Sequence, residues 1–124
     1  MKKLSIVIVS YNVKEYLMQC IRSIYRSNID KDCFEIIVVD NDSHDGSVNL
    51  IEDKFSQIIV RKNSENLGFS KAVNIGINIA KGEYVCILNP DIIIQRNTFK
   101  VLIDFCETQN NLGAVGPKII NSNG

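Results

Sequence analysis

Apolar and polar positions fall in two alternating rhythms along this chain. Short β-branched runs recur at Leu4–Val9, Phe34–Val39, Ile58–Val60 and Tyr84–Leu88. Each is stopped by polar or breaking residues, as in strands of a parallel sheet buried on both faces. Between them, apolar residues take helical spacing. Val13, Tyr16, Leu17, Cys20, Ile21, Ile24 and Tyr25 share one face, with Asn12 and Glu15 placed as a capping box. Asp42 or Ser43 is placed to cap a second, short helix with Val48, Ile51 and Phe55 inward. A third helix spans Gly68 to Lys81, turns Ala72, Val73, Gly76 and Ala80 inward, and ends on a cation followed by Gly82. Asn97 or Thr98 opens a last helix with Phe99, Leu102, Ile103 and Cys106 on one face, and Gly113–Pro117 reads as a fifth strand or its beginning.

Strand–helix alternation at this spacing predicts a single α/β domain over 1–124, a mostly parallel sheet with helices on both faces. Right-handed crossovers then gather the carboxyl ends of all strands on one edge. That edge carries Ser10-Tyr11-Asn12, Asp40-Asn41-Asp42, Asn63 to Asn66, and Asn89-Pro90-Asp91. Pro90 cannot donate to a ladder, so the fourth strand, read as an interior one, stops there and leaves Asp91 where open α/β sheets bind ligands.

Composition narrows the functions. The chain of 124 residues has 14 basic and 14 acidic side chains, which points away from a nucleic-acid partner. No apolar run approaches a membrane span, and the six strand-like residues after Met1-Lys2-Lys3 are too few for a signal-peptide core. Cys20, Cys33, Cys86 and Cys106 have no zinc-ligand spacing and read as reduced packing residues of a cytoplasmic protein.

Glycine-rich dinucleotide and P-loop patterns are absent, and His44, the sole histidine, has no serine elbow to serve. A phosphoacceptor receiver domain would need an acidic pair after the first strand and an aspartate after the third. Those ends read Ser10-Tyr11-Asn12 and Arg61-Lys62-Asn63. The aspartates better suit a nucleotide held separately through base and phosphates. Asp40 can accept from the imide N–H of uracil or thymine, and Tyr11 offers a face for stacking. Asp91 can hold Mg²⁺ or Mn²⁺, which bridges diphosphate oxygens and takes few protein carboxylates. Taken singly, Asp40 and Asp42 read equally well as caps and Tyr11 as packing at the core's edge, while Asp91 alone reads better as a turn residue after Pro90 than as a ligand.

The order Ile6-Val-Ile-Val-Ser10-Tyr11-Asn12, Ile36-Ile-Val-Val-Asp40-Asn41-Asp42-Ser43, Asp45-Gly46-Ser47, Asn66-Leu-Gly68-Phe-Ser-Lys71-Ala72-Val-Asn74 and Lys81-Gly82-Glu83-Tyr84 into Asn89-Pro90-Asp91 resembles family 2 glycosyltransferases. The likeness covers nearly the whole chain. It implies a Rossmann-like GT-A fold, cut before the acceptor half, and a UDP- or dTDP-sugar donor. It implies nucleotide-sugar contacts from Ser10, Tyr11, Asn12, Asp40, Asp42, Gly68, Lys71, Asn89, Pro90 and Asp91, with Asp91 on Mg²⁺ or Mn²⁺. The expected reaction is inverting transfer to a glycan or lipid-linked acceptor. Membrane contact would come only through segments outside this chain, in a protein peripheral to the inner face of the membrane.

The chain departs from the family pattern in three places. Asn89 stands first in the metal motif, and Asn-Pro-Asp resembles the rhamnosyltransferase branch. Val73 stands where an arginine is frequent, which leaves Lys71 as a substitute. Among the 33 residues after Asp91, only Asp104 and Glu107 are acidic, and both read as solvent-facing, so no general base can be nominated. The alternative reading is a non-catalytic nucleotide-binding module, or an inactive fragment, of the same fold. Apolar surface left by a cut sheet adds self-association to the expectations.

Overall fold

A computed structural model describes residues 2–118 and 120. Strands β1 (Leu4–Ser10), β2 (Phe34–Asp40), β3 (Ile59–Lys62) and β4 (Tyr84–Leu88) alternate with helices α1 (Lys14–Tyr25), α2 (Ser47–Lys54), α3 (Phe69–Ile79) and α4 (Thr98–Glu107). All paired strands run parallel in the order β3-β2-β1-β4. The chain steps from β1 outward to β3, then returns through α3 to lay β4 on the other side of β1. This reversal is a topological switch point, and the crevice outside the ends of β1 and β4 is where such sheets take ligands.

The alternation of side chains along each strand divides the core in two. Leu4, Ile6 and Ile8 of β1 and Ile36 and Val38 of β2 pack with Leu17, Ile21 and Ile24 of α1, Ile51 of α2 and Phe99 of α4. On the opposite face, Val7, Ile37 and Val39 meet Ala72 of α3. That smaller core depends on close approach. A Cβ on Gly76 would lie 2.4 Å from Val7 Cγ1, so glycine lets α3 sit directly on the sheet. The lower edge is closed by Glu35, whose Oε2 accepts from Ser5 Oγ at 2.5 Å and from Lys81 N–H at 2.7 Å.

Several expectations from the sequence change here. The apolar run of β4 is an edge strand among the described residues. Tyr84, Cys86 and Leu88 face the larger core, but Val85 is 42% and Ile87 49% exposed, because α3 covers only β1 and β2. Residues 113–118 form no strand; they have no neighbouring ladder to complete their backbone bonds. Tyr16 is 57% exposed, whereas Met18 is buried in its place. Helix α3 ends at Ile79, so Lys81 and Gly82 lie in the following connection instead of the last turn.

The capping scheme differs too. The N-cap of α1 is Val13, with no side-chain cap, and that of α2 is Gly46. Asn12 and Ser43 instead bond loop to loop, and Asp42 Oδ2 lies 3.5 Å from His44 Nε2.

Candidate functional site

The carboxyl ends of β1, β2 and β3 are tied into one unit. Asn41 N–H donates to Ser10 carbonyl at 2.9 Å, and Asn63 N–H to Asp40 carbonyl at 2.8 Å, so the pairing continues past the strands. Asn12 N–H donates to Ser43 Oγ at 2.9 Å, while Asn12 Oδ1 accepts from His44 N–H at 2.8 Å. This exchange holds Asn12 at φ 51° and accompanies Asp42 at φ 71°. Left-handed backbone is tolerated by Asn and Asp better than by other residues with a Cβ.

Asp45 joins the starts of two helices. Its Oδ2 accepts from Lys14 N–H at 2.9 Å and its Oδ1 from Ser47 N–H at 3.0 Å, supplying from one side chain what both helices lack. Partial burial works against the ionised form. The hydrogen bonds from Ser47 and Lys14 outweigh it and hold the carboxyl below the ordinary aspartate range. Neither Asp45 nor Asn41 stands out as a site residue from sequence alone, because a loop aspartate or asparagine is first read as a local cap. The signal that was available is density: Asp40 to Asp45 holds three aspartates, an asparagine and a serine in six positions.

Within this frame the residues proposed from sequence separate clearly. Asp40 is 3% exposed; its Oδ2 accepts from Ser43 N–H at 2.8 Å, and its buried Oδ1 has no partner. Ser10, opposite Asp40 in the β1–β2 register, likewise keeps a buried Oγ without a partner. Buried polar atoms are nearly always satisfied, so these two oxygens, with Ser47 Oγ the third such atom among the described residues, are bonding positions left open. Tyr11 is 47% exposed, which leaves ring surface available. Asp42 is half-buried, with Oδ2 at 3.5 Å from Nε2 of the exposed His44. Gly68, at φ 83°, starts α3, and Lys71 is exposed on its first turn. Val73 is buried, so its side chain packs and leaves the phosphate or ribose contact of an arginine unfilled.

Asn89-Pro90-Asp91 lies across the switch point, since β4 pairs with β1 up to Ile8 and Leu88. It is held differently from the other strand ends. Its anchor is α1: Cys20 Sγ donates to Asn89 carbonyl at 3.9 Å, and Ile94 N–H donates to Ser23 Oγ at 2.9 Å. Burial pushes the Cys20 thiol up to about 12, with Cys86 and Asp91 adding to the effect, and burial pushes Cys86 up to about 11. Both therefore stay protonated packing groups, as expected of reduced cysteines.

Asp91 is exposed, and among the described residues no hydrogen bond or ion pair engages its carboxylate. No group of three or more His, Cys, Asp or Glu able to cage a metal occurs among those residues either. One free carboxylate at a strand end fits an octahedral ion that draws its other ligands from phosphate and water. Downstream, Glu107 pairs with Lys3 and accepts from Tyr84 hydroxyl at 3.3 Å, which commits it to pinning α4.

A doubly wound parallel sheet with polar strand ends at a switch point is the frame of a nucleotide-binding α/β protein. The model of the family "Glycosyl transferase family 2" matches residues 5–123, and the chain belongs to that family. It is 32% identical over 110 residues to minor teichoic acid biosynthesis protein GgaB of Bacillus subtilis (strain 168), covering 86% of this chain and 12% of the relative. Staphylococcus aureus TarS has the same GT-A fold, with TM-score 0.78 and 27% identity over 86% of this chain and 20% of that one. TarS residues 1–349 in complex with UDP superpose at TM-score 0.80 with 24% identity, over 94% of this chain and 38% of that one. Mannosyltransferase PcManGT from Pyrobaculum calidifontis, in complex with GDP-Man and Mn²⁺, shares the fold at TM-score 0.70 and 24% identity, over 78% and 30% of the two chains. The chain thus spans a minor part of the length of each.

Proposed function

We propose that this chain is the donor-binding part of an inverting glycosyltransferase that uses a UDP- or dTDP-sugar and serves the building of a glycan or lipid-linked polymer. The observation that carries the reading is the pair of buried, unpartnered oxygens, Asp40 Oδ1 and Ser10 Oγ, beside the exposed ring of Tyr11. An acceptor fixed in a desolvated position discriminates strongly for the N–H it was built to receive. Uracil and thymine both offer an imide N–H, and Tyr11 provides the stacking face. TarS, with UDP bound in one of its structures, gives the same fold a precedent for such a ligand.

Asp91 is the residue that would hold Mg²⁺ or Mn²⁺, and when bound the ion would supply Lewis-acid stabilisation of the departing diphosphate. Asn12, Asp42, Gly68, Lys71, Asn89 and Pro90 line the same edge and complete the proposed contacts. Asp104 and Glu107 are exposed on α4, with Glu107 tied to Lys3. The carboxylate that takes the acceptor proton is therefore assigned outside residues 1–124, and residues 1–124 alone are expected to bind donor without transferring it.

The test is calorimetric titration of UDP and dTDP with and without Mn²⁺, alongside an assay of donor hydrolysis. Asp91→Ala is expected to abolish the Mn²⁺ dependence of binding. An unchanged Mn²⁺ dependence would remove Asp91 from the metal site, and turnover by the isolated chain would contradict the assignment of the base elsewhere.

A further inference from the structure

Asn41 has a bonding pattern that the nucleotide reading does not use. It is 3% exposed, and its side chain faces the β3–α3 loop. Its Nδ2 donates to Gly68 carbonyl at 3.2 Å, while its Oδ1 accepts from Leu67 N–H at 3.3 Å and from Asn63 Nδ2 at 2.9 Å. Two of these partners are backbone groups of fixed polarity, a carbonyl and an N–H. They determine which end of the amide is nitrogen, since the flipped amide would set donor against donor and acceptor against acceptor. Only a side chain that donates and accepts at once satisfies both. The adjacent backbone adds Asn41 N–H to Ser10 carbonyl and Asn63 N–H to Asp40 carbonyl. One residue thus sits at the junction of three strand ends, next to the orphaned carboxylate.

We propose that Asn41 is a positioning residue that fixes residues 63–68, and with them Gly68 and Lys71 at the start of α3, against the pocket at Asp40. The role rests on the reading of that pocket as a nucleotide site. The loop has little else to hold it: Ser64, Glu65 and Asn66 are exposed, and the bond from Gly68 N–H to Asn66 Oδ1 is internal to the loop. Three bonds from one buried amide therefore decide where the first turn of α3 meets the ligand. A carboxylate in the same place offers an acceptor to Leu67 but loses the donor for Gly68 and faces that carbonyl with negative charge, which drives Gly68 away and draws the Leu67 N–H one residue before it out of its bond. When protonated, it can donate again. Burial and the facing Gly68 carbonyl raise the pKa of such a carboxyl, against the lowering effect of the N–H donors from Leu67 and Asn63.

The experiment compares wild type, Asn41→Asp and Asn63→Ala at about pH 7.5 and about pH 5, where a buried carboxyl changes state. Two quantities are measured: hydrogen-exchange protection at Leu67 without nucleotide, and UDP affinity by calorimetry. At the higher pH, Asn41→Asp is expected to lose protection at Leu67 and bind UDP about tenfold more weakly, the scale of one lost hydrogen bond. Both deficits relative to wild type shrink at the lower pH, which general loosening of the fold would not produce. Asn63→Ala, which removes one of the three bonds, shows a smaller loss of the same kind and carries the test where Asn41→Asp fails to fold. Unchanged protection at Leu67 in the variants overturns the coupling. Lost protection with wild-type UDP affinity overturns the positioning role while leaving the nucleotide site standing. Failure of the wild type itself to bind UDP or dTDP overturns the reading of the site, and with it the role of Asn41 there.

Discussion

The two sides of the switch point are built to different standards. On the β1–β2–β3 side, strand ends exchange backbone bonds, Asn41 and Asp45 each join separate elements, and Ile37, Val38 and Val39 are fully buried. On the β4 side, the strand has one uncovered face, Val101 and Phe105 of α4 are 61% and 46% exposed, and Asp91 is unengaged among the described residues. The contrast matches what each side would bind under the proposed function. A base is a rigid ring whose recognition needs donors and acceptors placed beforehand. A metal diphosphate brings its own charge and ligands, so one exposed carboxylate would be sufficient there.

Stability measurements offer the broadest way to break this contrast. Ile37→Ala empties a site closed on all sides and should cost about 2–5 kcal/mol. Ile87→Ala, at a half-exposed position of β4, should cost less than about 1 kcal/mol. Urea unfolding of both variants checks this, and equal losses would mean that β4 is packed as tightly as β2. Gly76→Ala probes the covering helix: overpacking against Val7 costs about 1–3 kcal/mol, against a gain of about 1 kcal/mol in helix propensity. The expected result is a net loss of stability, and a variant more stable than wild type would show that α3 can lift from the sheet without penalty.

A smaller effect separates the loops by pH. Asp45 has its folded-state pKa lowered, so it contributes stability that is fully present above the unfolded value of about 3.9 and is lost as pH falls through the folded value. Unfolding midpoints of wild type should therefore drop on acidification below about pH 4, and Asp45→Asn should flatten part of that drop. An identical pH profile in the variant would detach Asp45 from the joint between α1 and α2.

These differences also explain what could be read in advance. The four strands, four helices and shared polar edge follow from periodicity, since each run is set by its own neighbours in sequence. The edge position of β4 does not, because an apolar run records what a strand prefers to face and not whether anything covers it. Gly113–Pro117 failed as a strand for the related reason that a strand exists only with a partner. The loops were legible as a cluster and misleading in detail. Asn12, Asp42 and Ser43 satisfy every local rule for caps, yet the chain uses Asn12 and Ser43 to lock loop against loop. Only the three-dimensional arrangement reveals Asp45 and Asn41 as the residues that hold the others.

Asp40 Oδ1, buried and unpartnered, is the proposed acceptor for the imide N–H of a pyrimidine base. Calorimetric titration of UDP and dTDP against wild type and Asp40→Ala tests it directly. Wild type is expected to bind measurably and the variant to lose about 1–3 kcal/mol, the scale of a hydrogen bond to a charged group. Equal affinities in the two proteins would contradict it.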